Sequence, residues 1–212
     1  MIALGIETST PAGSLSLVSE EGVLASSFVS CLHLRHSHWI ISEIDHILKL
    51  SGIKLSEISA IAVSTGPGSF SGIRVGYATA QGLSAGLDIP VIGISTLDVI
   101  SHNICSPEKQ VCSVVDARKD NIHIALYRKQ RRFEDYITCN ISDLSSLIDQ
   151  ETLFVGPGVP FYKDRIKERL GKIAFFSHSF HNIPQATSVA LLGLASFKRK
   201  KEGSRLVYGH LD

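Results

Sequence analysis

Apolar and small polar side chains are grouped from the start of the chain into three short segments, 2–8, 13–19 and 23–29, separated by Pro11-Ala12-Gly13 and Glu20-Glu21-Gly22. Short runs rich in Ile, Leu and Val, bounded by Pro or Gly, read as β-strands. The period then changes. Ile40, Ile44 and Ile47 recur at helical spacing, with Trp39, Ile41, Leu48 and Leu50 to either side, so a helix is predicted over 36–51, stopped by Gly52. A strand at 58–64, a Gly66-Pro67-Gly68 loop, a helix over 71–87 and a strand at 91–94 follow. Beyond Ser106-Pro107 the order returns: strands near 111–116, 121–127 and 133–138, a helix near 142–149, a strand at 152–155, Gly156-Pro157-Gly158 and a further helix.

An order of elements that repeats at long range decides the fold before any local detail does. Here it predicts a duplicated α/β unit with lobes at 1–106 and 107–212. This is the plan of the actin-like ATPase fold, in which two ribonuclease-H-like lobes face a cleft. Composition agrees with a globular chain: of 212 residues 44% are apolar, and 21 Lys and Arg balance 20 Asp and Glu. No apolar run reaches the ~20 residues of a membrane span. A basic, apolar leader is also missing, since Glu7 interrupts the first apolar stretch and the first basic residue is Arg35, so a cytoplasmic location is expected. The four cysteines, Cys31, Cys105, Cys112 and Cys139, have neither disulfide-framework nor zinc spacing. Charge is uneven. Residues 1–106 hold 4 basic and 8 acidic residues, against 17 and 12 in 107–212, too few in the first half to coat a solvated surface.

The candidate chemistry is sparse. In the actin-like fold the first hairpin brings an acidic residue and small hydroxyls to nucleotide phosphates, and Glu7, Thr8 and Ser9 occupy that position. The same residues also suit an ordinary hairpin with capping hydroxyls. The segment Gly66, Pro67, Gly68, Ser69, Phe70, Ser71, Gly72 opens a helix whose first turn would attract an anion, yet it lacks the Gly-Lys-Ser/Thr of a P-loop and the spacing of a dinucleotide fingerprint. His33, His36 and His38 have no partner cluster at metal-ligand spacing. A nuclease would need several carboxylates around paired metals, and Glu7 is the sole strand-end carboxylate in the first half. No nucleophile motif is present. Two basic clusters, Arg128-Lys129-Gln130-Arg131-Arg132 and Lys198-Arg199-Lys200-Lys201, suit a hairpin turn and a helix end, and no aromatic residues interleave with them as in a base-stacking platform.

Ile6-Glu7-Thr8-Ser9-Thr10, Arg35-His36-Ser37, GPGSFSGIRVG from Gly66 to Gly76, Pro90 to Leu97, and Asp116-Ala117-Arg118 together resemble the TsaB (YeaZ) family. The chain departs from that family at Glu7, where Asp is usual, at His38, where Glu is common, and in the closing segment Leu206 to His210. The resemblance implies an accessory subunit of the bacterial machinery that installs N6-threonylcarbamoyladenosine at position 37 of tRNA. It implies no catalytic residue and no cofactor of its own, ATP and metal belonging to partner subunits. Those partners are a TsaD-like transferase, a TsaE-like ATPase and, through the complex, tRNA, with a homodimer when the chain is alone. The alternative is a stand-alone actin-like phosphotransferase or a metalloprotease. The Asp116-Ala117-Arg118-Lys119-Asp120 turn lacks the glycines that let backbone approach phosphate, which argues against the phosphotransferase.

The helix faces say where a partner would bind. The apolar arc of helix 36–51 is wider than the ~100° one core face requires. In helix 71–87 Arg74 is the only charged residue; Ile73, Tyr77, Leu83 and Leu87 are expected against the sheet, and Val75, Ala78, Gly82 and Ala85 form a smooth opposite face. The predicted interface is therefore Trp39, Ile40, Ile41, Arg74, Val75, Ala78, Gly82 and Ala85.

Overall fold

Strands that are buried on both faces organise the described residues, 1–30, 35–104 and 108–201 of a computed structural model, into two sheets. The first contains β1 (Ile2–Glu7), β2 (Gly13–Ser19), β3 (Gly22–Val29), β4 (Ile58–Gly66) and β5 (Val91–Ser95), in the order β3-β2-β1-β4-β5. β1, β2 and β3 are antiparallel neighbours, while β1, β4 and β5 run parallel. Large and small side chains alternate along these strands. Leu4, Ile6, Leu15, Leu17, Ile61 and Val63 build one core with Trp39, Ile40, Ile44 and Ile47 of α1 (His36–Ser51). Gly52 ends that helix in the left-handed conformation, φ 71°. α2 (Phe70–Leu87) links β4 to β5.

The second sheet runs β11 (Ala174–Phe176), β10 (Thr152–Val155), β6 (Gln110–Asp116), β7 (Asn121–Arg128), β8 (Arg131–Arg132), and β9 (Ile137–Asn140) also pairs with β7. Its order reproduces that of the first sheet, so the duplication read from the sequence is present in the topology. Cys112, Val114, Ile122, Ile124 and Phe154 pack on α5 (Val159–Leu170) and on α4 (Leu144–Leu147).

The compact units differ from a division at residue 106. One comprises Met1–Thr96 with the chain from Gln185 on, the other Leu97–Pro184. The helix that closes each half packs on the other half's sheet. α3 (Thr96–His102) sets Leu97 and Ile100 against Val111, Val115, Ala125 and Tyr127. α6 (Ala186–Lys201) lies on Ala3 and Val18 through Ala190 and Leu194. Small residues permit that approach: a Cβ on Gly5 would run into the Ala186 carbonyl, and one on Gly193 into the Ala62 side chain. Each sheet thereby buries the apolar face that its own helices leave bare.

Two local expectations shift, and one strand was not foreseen. The strand expected at 133–138 is replaced by β8 and β9 with a bend at 133–136, where Glu134-Asp135 is a poor strand former. The helix expected at 142–149 contracts to a 3-10 turn and the single turn of α4, because Ile148 is extended at φ −130°. The short β11 was not visible as a strand in the sequence pattern.

Candidate functional site

The turn after β1 is buried and closely hydrogen-bonded. Glu7 is fully buried; its Oε1 accepts hydrogen bonds from the Ser9 amide (2.6 Å) and hydroxyl (2.5 Å), and its Oε2 accepts one from Ser64. Burial pushes the Glu7 carboxyl pKa up, and the bonds from Ser64 and Ser9 offset part of that shift. Thr8 Oγ1 donates to the Gly72 carbonyl (2.8 Å), and the Ser69 amide donates to the Ser9 carbonyl (2.7 Å). A Cβ on Gly72 would overlap the Thr8 carbonyl, one on Gly68 the Ser9 carbonyl, and one on Gly76 the Thr8 hydroxyl. Gly66 and Gly68 in addition take left-handed φ values of 107° and 159°. The glycines of GPGSFSG thus let the loop and the first turns of α2 close over the hairpin. Ser69 caps that helix by accepting from the Gly72 amide (3.3 Å). Pro67 lies between the two left-handed glycines, and Phe70 is exposed with the Arg74 guanidinium 3.8 Å above its ring.

Glu7, Thr8 and Ser9, the residues of the expected phosphate loop, are therefore buried and bonded within the unit. In the second unit the corresponding turn is open. Asp116 is exposed and its Oδ1 accepts from the Arg118 amide (2.9 Å) and the Tyr162 hydroxyl (2.7 Å), while Arg118, Lys119 and Asp120 all take left-handed φ.

The expected interface divides. Trp39 and Ile40 are core residues: the Trp39 ring sits where a Cβ on Gly13 would be, and His36 meets it edge-on at 5.7 Å. Large apolar residues next to the first turn of an amphipathic helix go to the sheet, which overrides their place on a wide arc. Ile41, by contrast, is 60% exposed. On α2 the residues turned to the sheet are the small ones, Gly72, Gly76 and Ala80; Ile73, Tyr77, Leu83 and Leu87 are half-buried at the flanks. Val75 is half-buried too, packed on the core. Arg74, Ala78, Gly82 and Ala85 are exposed as expected, together with Gln81 and Gly86. A Cβ on Gly82 or Gly86 would meet nothing within 4 Å. Gly86 was missed, although its spacing of four from Gly82 was a readable signal.

His36 Nε2 bonds the Thr10 carbonyl (2.8 Å), His38 is exposed, and His33 lies outside the described residues, as do Cys31, Cys105 and the segment 206–210. Among the described residues no group of three or more His, Cys, Asp or Glu is placed to hold a metal. No helix there is long and apolar enough to cross a membrane.

The family model for TsaD, tRNA N6-adenosine threonylcarbamoyltransferase, matches residues 31–207. The chain is 26% identical to the tRNA threonylcarbamoyladenosine biosynthesis protein TsaB of Bacillus subtilis over 91% of this chain and 87% of that one. It is 35% identical to the protein of the same name in Escherichia coli over 61% of this chain, a match that spans 56% of the relative's length. Among solved structures, YeaZ from Pseudomonas aeruginosa superposes with a TM-score of 0.81 at 24% identity, covering 98% of this chain and 99% of that one. The ROK hexokinase of Thermus thermophilus superposes at 0.59 and 10% identity, covering 93% and 100%, and places the chain in the actin-like fold class.

Proposed function

We propose that this chain, which belongs to the TsaD family and within it to the TsaB (YeaZ) branch, acts in forming threonylcarbamoyladenosine in tRNA as a non-catalytic subunit that binds and supports a TsaD-type transferase. The observation that carries the reading is the outer face of α2. Ala78, Gln81, Gly82, Ala85 and Gly86 are exposed, carry no charge and have no cover within the unit. Glycine in an exposed helix interior costs about 1 kcal/mol relative to alanine. At Gly72 and Gly76 the close hairpin explains it; at Gly82 and Gly86 nothing among the described residues does, whereas a helix of another protein approaching at short range would. Ile41 and Phe70 are exposed apolar groups on α1 and α2 that such a partner would bury. In the absence of the transferase the same face would pair two copies of this chain. ATP and metal would act on the partner subunits, a TsaE-type ATPase among them, which fits a hairpin acid that is buried and saturated with donors.

Reconstitution tests it. A mixture of TsaD-type and TsaE-type partners, tRNA and an activated threonylcarbamoyl donor should form the modified nucleoside only when this chain is added, and the chain alone should neither hydrolyse ATP at a useful rate nor cleave glycoprotein. Equal yield without the chain would sink the proposal.

A further inference from the structure

The ribbon formed by β7 and β8 in the second unit gathers cations at its turn. It turns through Lys129-Gln130, both with left-handed φ (48° and 59°), the conformation of a two-residue hairpin turn. Register then sets Arg128 directly opposite Arg131. Like charges directly opposite across a strand pair are destabilising. Arg128, Lys129 and Arg131 are exposed and make no ion pair among the described residues; Arg132 alone has carboxylates, Asp98 and Asp135, each at 3.8 Å. The ribbon is also braced at its root. The Tyr127 and Tyr136 hydroxyls donate to the two oxygens of Asp98 (2.8 and 2.7 Å), and the Gln130 amide donates to the Ile104 carbonyl (3.2 Å).

The sequence showed no aromatic residues within this cluster, but the fold brings two to it. The bend after β8 returns Phe133 beneath the Arg128 guanidinium, 4.7 Å from the ring centroid, and Tyr136 beneath that of Arg132, at 4.0 Å. The rings remain 40% and 42% exposed. Three unpaired cations at the tip of a braced ribbon, with ring surface beside them, match the chemistry of an RNA loop, which offers phosphates and unstacked bases together. An acidic peptide would use the cations and not the rings, and a lipid surface would need more apolar depth than two half-exposed rings provide.

We propose that the β7–β8 ribbon is an RNA-contacting finger, in which Arg128, Lys129 and Arg131 take backbone phosphates and Phe133 supports an unpaired base of the tRNA substrate. This rests on the reading of the chain as a subunit of a tRNA-modifying assembly. The second basic cluster is a weaker counterpart, because Lys198 is paired with Glu20 at 2.9 Å.

The test uses the complex of the full chain with its TsaD-type partner and an unmodified tRNA transcript, followed by fluorescence anisotropy across a salt series. Combined Arg128→Ala, Lys129→Ala and Arg131→Ala should weaken binding about tenfold near 0.1 M salt and reduce the slope of log affinity against log salt by about 2. Phe133→Leu should weaken it by roughly threefold and leave the slope alone, because it removes stacking and no charge. Lys129→Glu, at the exposed turn, keeps the test alive if the triple variant does not fold, with an expected loss of at least threefold. Unchanged affinity and slope in folded variants would overturn the finger, and so would binding of anionic vesicles or polyglutamate with the same dependence on these residues. If such variants bind tRNA normally while modification still requires the chain, the finger fails and the subunit reading stands. If modification proceeds without the chain, that reading fails and takes the finger's role with it.

Discussion

α2 and α5 hold the same place in their units, each joining the last two strands of its sheet, and they expose opposite chemistry. α5 buries Val159, Tyr162, Ile166 and Leu170 as a single stripe, and six of its twelve residues are charged. That is the composition of a helix solvated on its outer side. α2 is eighteen residues long, carries Arg74 alone, and presents small residues on both sides: Gly72, Gly76 and Ala80 to the sheet, Ala78, Gly82 and Ala85 outward. The hairpins beneath the two helices differ in parallel. Glu7 is sealed in by donors from Ser9 and Ser64, while Asp116 lies open beside three left-handed residues. One topology thus serves a solvated surface in one unit and a closed hairpin under a bare helix in the other. The outward face of α2 is unlike the outward face of a solvated helix, and that contrast is what the proposed partner contact rests on.

The contrast breaks most sharply at Gly82. Arginine there meets open space among the described residues, so Gly82→Arg should leave a folded monomer that melts no lower than the parent. Association with a TsaD-type partner, or with a second copy, should weaken by about 3–5 kcal/mol because an unpaired charge would be buried at the contact. Co-elution of the variant with its partner on size exclusion would place the interface elsewhere. The equivalent charge on α5 changes nothing, since that face is already charged.

On the sheet side of the same helix the sign reverses. Gly72→Ala should destabilise by about 2–3 kcal/mol, because its Cβ would occupy the place of the Thr8 carbonyl and backbone cannot yield as a flexible side chain can. Gly82→Ala should stabilise the isolated chain by about 0.5–1 kcal/mol. Denaturant midpoints of the pair check both, and equal effects would mean that the two faces are not distinct.

A smaller effect belongs to the buried acid of the first hairpin. Burial raises the pKa of Glu7, so its protonated form is favoured in the folded state. The associated stability is present below the ordinary glutamate pKa of about 4.3 and is lost as pH rises through the higher folded value. Glu7→Gln should therefore flatten the decline of the melting temperature on going up from pH 4.3. An unchanged slope in the Glu7 variant would show that its three donors fully offset the burial.

Much of this was legible from residue order. Helical and strand periods located α1, α2 and β1 to β7 within a residue or two, since each carries a whole apolar face and ends at Gly, Pro or a turn. β8, β9 and α4 were misread because two to four residues give no period, and their pairing with β7 or their capping decides them. Spacing placed Ala78, Gly82 and Ala85 on the exposed face of α2, but it could not tell that Trp39 and Ile40 point inward. A helical wheel gives relative angle without saying which direction is inward, and that is set by the sheet beneath.

The amino-acid sequence by itself determined the duplication, the strand order's two halves, the glycine-rich loop and the scarcity of charge on α2, because these depend on neighbours within a few positions or on a simple repeat. Only the tertiary structure decided what those features do. The crossing of α3 and α6 to the opposite sheets, the closure of Gly68, Gly72 and Gly76 onto Thr8 and Ser9, and the return of Phe133 and Tyr136 onto the arginines of β7 and β8 are contacts between elements. Their energies come from desolvation and close packing of groups far apart or bent back along the chain, and no local pattern records which surface will be covered.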